Sequence, residues 1–195
     1  MSRKLPKILN AEEIEKVLDY WNTRYFTQQR NKVIMKLILN TGLRISEIIH
    51  LKWRDINLTS GKINVIEGKG KKDRTLWVNS EVLDILTHYR ERQDRVLVDK
   101  GYCACDILRV FTSFSNKKLS PGNLRKSFYK CSLKSIKRKA SPHQYRHTYA
   151  TRLLSESKNL RIVQKALGHS DLSTTQIYTH IVDEEMEDEL KKFSI

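Results

Sequence analysis

The order of apolar and polar residues along this chain is mostly that of amphipathic helices. In the segment 10–21, Asn10 precedes early acidic residues and predicts an N-cap. One face of that segment is apolar: Ile14, Val17, Leu18 and Trp21. A second helix, at about residues 28–40, has apolar residues on several sides and is predicted to be buried, with Gly42 just after its end.

The middle of the chain changes to the period of β-strands. The runs KINVIEG and RTLWVN alternate, and a segment rich in glycine and lysine, GKGKKD, joins them, which predicts a hairpin. A long helix is expected over about 80–98, a short strand at 109–113, and then helices interrupted at Pro121, Pro142 and Gly168. The predicted fold class is mainly α with a small antiparallel β-sheet (α+β).

Length and composition agree with one domain. The 195 residues are 39% hydrophobic, which is enough for one core. The longest apolar run, residues 33–39, is interrupted by a lysine and is too short to cross a bilayer, and the N-terminus lacks the apolar segment of a signal peptide. We therefore expect a cytoplasmic, nucleoid-associated protein with no membrane partner. The three cysteines lack a zinc-ribbon spacing and are expected to be reduced thiols.

The net charge of +15 is distributed unevenly. Residues 183–195 contain six acidic side chains and two lysines, so residues 1–182 carry 35 basic and 16 acidic side chains, a net charge of +19. Such a basic body favours a polyanion as partner, nucleic acid above all, although a basic surface also serves solubility.

The stretch SPHQYRHTYATRLL (141–154) contains the side chains with the clearest candidate chemistry. His143 and His147 would share a face of a helix, as zinc ligands do, but the glutamate of an H-E-x-x-H site is replaced by Gln144, and no metal is expected. Ser141 and Pro142 instead predict a helix start. Because helix N-termini attract anions, this start is either a phosphate site or an ordinary solvated helix end.

Four segments, in this order, carry a family resemblance: TGLRISEI, GKGKKDR, HQYRHTYAT and LGHSDLSTTQIYTH. Together they resemble the tyrosine recombinase (phage integrase) family over about residues 10–180, including integrases, Xer-type recombinases and single-domain fimbrial invertases. The resemblance implies the catalytic-domain fold of that family, with a DNA-breaking and rejoining domain at 1–182 and an acidic amphipathic tail at 183–195. The family's N-terminal DNA-clamping domain is expected to have no counterpart in this sequence.

The resemblance also implies an active site, residue by residue. The implied catalytic set is Arg44, Lys69, His143, Arg146, His169 and the nucleophile Tyr178. Lys71, Lys72 and Arg74 are expected to bind backbone phosphates, and Glu47 to be structural. Taken one at a time, these residues have ordinary explanations: Arg44 could cap its helix or pair with Glu47, and Tyr178 could be a half-buried aromatic.

These residue types suit the breaking of a phosphodiester without a metal ion. Two guanidinium groups would stabilise the extra negative charge of a pentavalent phosphorane, and a histidine would help to deprotonate a tyrosine that is otherwise a poor nucleophile. The expected activity is site-specific recombination through a covalent 3′-phosphotyrosine, with no cofactor and no ATP. The expected partners are double-stranded DNA, further copies of the chain in a tetramer on two DNA sites, and accessory DNA-bending proteins. The alternatives are a tyrosine-type topoisomerase and a DNA-binding regulator without catalysis.

Overall fold

The computed structural model describes residues 7–66 and 73–168. Within these ranges the α-helices are α1 (Ala11–Asp19), α2 (Phe26–Thr41), α3 (Ile45–Ile48), α4 (Ser80–Val98), α5 (Pro121–Ile136), α6 (Pro142–Ser157) and α7 (Leu160–Leu167). Two strands, β1 (Lys62–Val65) and β2 (Arg74–Trp77), form an antiparallel pair and lie between α3 and α4 in the sequence. The predicted fold class, mainly α with a small antiparallel sheet, is confirmed.

The helix ends lie where local side chains supply the missing hydrogen bonds. The Asn10 side chain accepts from the backbone N–H of Glu13, and the Glu13 carboxylate accepts from that of Asn10, which is a capping box at the start of α1. At α6, Ser141 is the N-cap and Pro142 the first helical residue. Helix α2 ends at Gly42, whose φ of 64° lies in the left-handed region that favours glycine. These sequence predictions are confirmed.

Helix α2 is the centre of the hydrophobic core. It is apolar on several sides, as the sequence predicted, and packs against α4 and α6, while α1 packs against α5. The side chains of Ile34, Met35, Leu37 and Ile38 are completely buried, and burying a side chain of this size contributes about 1.5–3 kcal/mol. A second, smaller cluster joins α6 to α7 through Ala150, Leu154, Val163 and Leu167. The ends of α2, α6 and α7 are therefore held close together.

The two strands pair in a defined register, with Lys62 opposite Trp77 and Val65 opposite Arg74. The strands of the predicted hairpin are therefore confirmed, and residues 67–72 of its connection lie outside the described residues. Strand β2 contacts α7 as well as β1. This contact places the first residue of β2 beside the C-terminal end of α7.

Two sequence expectations are wrong. Residues 109–113 form no strand but make only isolated bridges, Arg109 with Lys52 and Thr112 with Lys118, because their two ends pair with different segments. Cys103 and Cys105 form a disulfide rather than two reduced thiols, since the turn between them brings their Cα atoms to 5.3 Å. Cys131 is a free, buried thiol, as expected. In the part of the chain that the structure describes, no helix combines the length and apolarity that a bilayer span requires.

Candidate active site

Arg44 lies at the junction of α2 and α3, where the chain turns after Gly42. It is the N-cap residue of α3, and its backbone N–H donates to Glu47 Oε2 over 2.7 Å. Its Nη1 donates to Glu47 Oε1, also over 2.7 Å. The side chain is 27% exposed while that of Glu47 is 6% exposed. Glu47 thus binds Arg44 on its buried side, and part of the Arg44 side chain remains exposed.

Arg146, on the second turn of α6, has a side chain that is only 6% exposed. Its Nη1 donates to the backbone carbonyl of Gly42, two residues before Arg44. Its Nη2 donates over 2.7 Å to the carbonyl of Leu167, the last residue of α7. The Arg146 guanidinium therefore links the C-terminal end of α2 to that of α7. Because Gly42 is two residues from Arg44, the two predicted catalytic arginines lie in the same region of the fold.

His143 lies one turn before Arg146, in the first turn of α6, and it is exposed. Partial desolvation lowers the pKa of its imidazole, and the positive charges of Arg146, Arg125 and Arg44 lower the pKa further. The imidazole is therefore neutral at pH 7, the form that can accept a proton. The effect of Arg44 on this pKa agrees with the convergence of both arginines and His143 on one region.

The structure contradicts the prediction that Arg74 binds a DNA phosphate. Its side chain is 7% exposed, and its Nη1 and Nη2 donate to the two carboxylate oxygens of Glu47 over 3.1 and 2.9 Å. Its Nε donates to the carbonyl of Ala166 over 3.0 Å. The alternation of side chains along a strand could have predicted this burial. Arg74 lies on the same face of β2 as buried Leu76, and it pairs with buried Val65 of β1.

Glu47 has a larger part in the site than the sequence analysis gave it. Its buried carboxylate binds Arg44 and Arg74 together, in addition to capping α3. A buried carboxylate of this kind requires positive partners. Its i, i+3 spacing from Arg44 predicted the first pairing, whereas the second joins residues 27 positions apart and has no local signal.

The other ring side chains of α6 are buried (Tyr145) or half-buried (His147 and Tyr149). Tyr145 is completely buried, and Tyr149 packs on the small cluster between α6 and α7. Burial raises the pKa of both phenols, which disfavours the ionised form that a nucleophile needs. Desolvation lowers the pKa of His147, and the neighbouring His143 and Arg146 lower it further.

Five predicted site residues lie outside the described residues: Lys69, Lys71, Lys72, His169 and Tyr178. Their sequence neighbours are described. Gly168, which directly precedes His169, caps α7 with a φ of 65°, and the first residue of β2 follows Lys72 by two positions.

Comparisons with known proteins match this chain to one family. The model of the phage integrase family matches residues 7–185. The tyrosine recombinase XerD of Staphylococcus aureus is 36% identical over 180 residues, which are 92% of this chain and 59% of that protein. The chain thus spans about three-fifths of the length of this relative.

Solved structures resemble the described fold. The crystal structure of XerA recombinase has a TM-score of 0.77 and 28% identity, over 97% of this chain and 66% of that chain. The XerH site-specific recombinase bound to a palindromic difH substrate has a TM-score of 0.77 and 30% identity, over 96% of this chain and 53% of that chain. The architecture described above is therefore that of recombinase catalytic domains.

Proposed function

Because the chain belongs to the phage integrase family, we propose that it cuts and rejoins double-stranded DNA at specific sites through a covalent 3′-phosphotyrosine. The observation that supports this most directly is the convergence of Arg44, Arg146 and His143 at the meeting point of α2, α6 and α7. The chain carries a net charge of +15, which favours DNA as the substrate.

The arginines supply what a phosphoryl transfer without metal needs. In the pentavalent transition state the non-bridging oxygens gain negative charge, and guanidinium donors that are already oriented stabilise it. Arg44 is held by Glu47 and Arg146 by two backbone carbonyls, so neither has to be ordered when the substrate arrives. Each charge-assisted hydrogen bond contributes about 1.5–3 kcal/mol.

The proton transfers are assigned to the remaining residues of the motif. Tyr178 is the nucleophile, neutral His143 takes its proton, and His169 donates a hydrogen bond to the same phosphate oxygens. Lys69 protonates the leaving 5′-oxygen, a step that typically contributes about 10²–10⁴-fold. Because the phosphotyrosine bond conserves the energy of the phosphodiester, a new 5′-hydroxyl reverses the reaction without a cofactor.

We also propose the partners of this chain and its location in the cell. Exchange of strands requires two duplexes, and we propose a tetramer of this chain on two sites, with DNA-bending proteins as accessories. Lys71 and Lys72 bind backbone phosphates, which positions the duplex without reading its sequence. With genomic DNA as substrate, the protein works in the cytoplasm, at the nucleoid.

The test is the capture of covalent complexes. The protein is incubated with a library of duplexes of random sequence in excess EDTA, and SDS-resistant complexes are isolated and sequenced. We expect a covalent adduct on a shared sequence with the native chain and none with Tyr178→Phe, whose DNA affinity remains. Tyr149→Phe is the matched control and keeps the adduct. An adduct with Tyr178→Phe refutes the nucleophile, and loss of the native adduct in EDTA refutes the metal-free reaction.

The role of Lys69 is tested on a modified substrate. A sulfur in place of the bridging 5′-oxygen leaves as a stable thiolate and needs no proton. Cleavage by Lys69→Ala is therefore restored on this substrate, while Lys71→Ala shows weaker and more salt-sensitive binding on both. If the sulfur substrate rescues Lys71→Ala instead, the general acid is Lys71.

A further inference from the structure

The Glu47 carboxylate is shared between two arginines. The guanidinium of Arg44 binds one oxygen from the start of α3, and Arg74 reaches both oxygens from strand β2. Glu47 and Arg74 are 6% and 7% exposed, so bulk water does not compete for this ion pair. The Nε of the Arg74 guanidinium is used as well, since it donates to the carbonyl of Ala166 in α7.

These contacts complete a closed circuit between the two candidate catalytic arginines. On one side, Arg146 joins the carbonyls of Gly42 and Leu167. On the other side, Arg74 joins the carbonyl of Ala166, next to Leu167, to the carboxylate that holds Arg44. We name this circuit the arginine ring; its members are Gly42, Arg44, Glu47, Arg74, Ala166, Leu167 and Arg146.

On the basis of the proposed function, we propose that Arg74 is a positioning residue that fixes Arg44 relative to Arg146 for attack on the scissile phosphate. Without Arg74, the buried Glu47 keeps Arg44 as its partner but loses the group that sets its own orientation. Because Arg44 is bound to that carboxylate, its guanidinium then becomes more mobile as well. A displacement of about 1 Å at a reacting group is enough to cost about 10²-fold in rate.

The ring also explains the glycine at the end of α7. A Cβ on Gly168 would lie 2.9 Å from Nη1 and 3.0 Å from Cδ of Arg74. A side chain at position 168 would therefore require Arg74 to shift from its place beside α7. His169, a proposed member of the active site, directly follows Gly168 in the sequence. Arg74 therefore packs against the residue that precedes His169.

The experiment compares Arg74→Met with a matched variant, Arg138→Met. Arg138 binds the carboxylate of Glu13 with Nε and Nη2, each over 2.6 Å, in an ion pair of similar form at the start of α1. Both variants are assayed on the captured site and on the same site with a methylphosphonate at the scissile position. The methyl group removes the negative charge that Arg44 stabilises, so correct placement of that arginine matters less.

We expect Arg74→Met to cleave the phosphodiester about 10- to 100-fold more slowly than the native chain, and the methylphosphonate within about threefold of it. DNA affinity should not change, and Arg138→Met should match the native chain on both substrates. Arg74→Lys should not restore the rate, because an ammonium cannot reproduce the fork that binds a carboxylate and a carbonyl together. Equal losses on both substrates, or no loss on either, would overturn the positioning role.

A second measurement keeps the inference separate from the proposed function. Hydrogen exchange of the guanidinium N–H groups is followed by NMR in the free protein. We expect exchange at Arg44 to be at least about tenfold faster in Arg74→Met than in the native chain and in Arg138→Met. If the native chain forms no covalent adduct, the proposed function fails while this exchange still decides the positioning role. Unchanged exchange at Arg44 would overturn it.

Discussion

Arg44 and Arg146 resemble each other in the proposed chemistry but differ in what the protein requires of them. Among the contacts between described residues, Arg146, which is 6% exposed, donates to two backbone carbonyls, whereas Arg44, which is 27% exposed, pairs with the Glu47 carboxylate. Replacing a buried partner leaves its acceptors without hydrogen bonds, at a cost of about 1–3 kcal/mol. Substitutions of the two arginines should therefore differ in their effect on stability, even though both are proposed to bind the same phosphate.

We expect Arg146→Lys to lower the free energy of unfolding by about 2–3 kcal/mol and Arg44→Lys by less than about 1 kcal/mol. Lysine keeps the positive charge in each case. The difference between the two losses of unfolding free energy therefore measures the contribution of the guanidinium's several N–H donors. Urea unfolding of both variants measures it, and DNA cleavage should fall in both. Equal losses of stability would mean that the two carbonyl contacts of Arg146 contribute little.

His143 gives the site a pH dependence whose direction follows from its surroundings. Its pKa is lowered, first by desolvation and then by Arg146, Arg125 and Arg44, so the fold favours the neutral imidazole. The stability contributed by this preference is fully present above the unfolded pKa of about 6.5 and is lost as the pH falls through the lowered value. An NMR titration of the free protein should give His143 a midpoint below about 6.5. A midpoint above that value would contradict the cationic surroundings described here.

At the scale of the element, the start of α6 connects stability to chemistry. Ser141 caps the turn that contains His143, and Asn10 caps α1, which contains no proposed site residue. Alanine at either cap should cost about 1 kcal/mol in urea unfolding. Only Ser141→Ala should also slow cleavage, because fraying of its turn displaces His143. Equal cleavage rates for both variants would show that the first turn of α6 is not required in its helical form.

The end of α7 offers a comparison of two glycines with positive φ. Gly168 has a φ of 65° and lies against Arg74, while Gly101 has a φ of 86° and a Cβ added there would meet no heavy atom within 4 Å. Gly101→Ala should cost about 1 kcal/mol of backbone strain, and Gly168→Ala clearly more. Gly168→Ala should also slow cleavage as Arg74→Met does. Equal stability of the two alanine variants would show that Arg74 moves aside freely.

The elements were largely predictable, because their signals are local. Caps, periodicity and the left-handed glycine at position 42 are encoded within a few residues, and the helix from Ser80 to Val98 agrees with its predicted range. The segment 109–113 was mistaken for a strand because its apolar residues face the core while its partners are isolated bridges. The local sequence does not determine which other segments of the chain will pair with residues 109–113.

The candidate site could be predicted where the proposed chemistry requires particular residue types, and less well where those residues require supporting contacts. Arg44, His143 and Arg146 were identified from their motifs, and the structure brings them together. Arg74 was misassigned as a phosphate contact, because a basic residue after a lysine-rich turn has the composition of a DNA-binding segment. Its burial depends on Glu47 and on α7, which become its neighbours only in the folded chain.

At the scale of the whole molecule, charge divides the chain into a basic body and an acidic tail. The tail, residues 183–195, has a net charge of −4 against +19 for the rest, and it lies outside the described residues. Met186, Leu190 and Phe193 are spaced as an apolar stripe, which predicts an amphipathic helix too short to be stable without a docking partner. We propose that this partner is the basic body of a neighbouring copy in the tetramer.

Deleting residues 184–195 separates this proposal from docking within one chain. The deletion removes five acidic side chains and two lysines, which raises the net charge from +15 to +18. Binding to a single site should therefore remain at least as tight and fall steeply with added salt, since each neutralised phosphate contributes about 0.9 to the slope. Assembly on two sites and recombination should be lost, as measured by gel shift and by strand-exchange assays. A truncated chain that recombines at the native rate would refute docking between copies, and one that unfolds as a monomer would show that the tail packs on its own body.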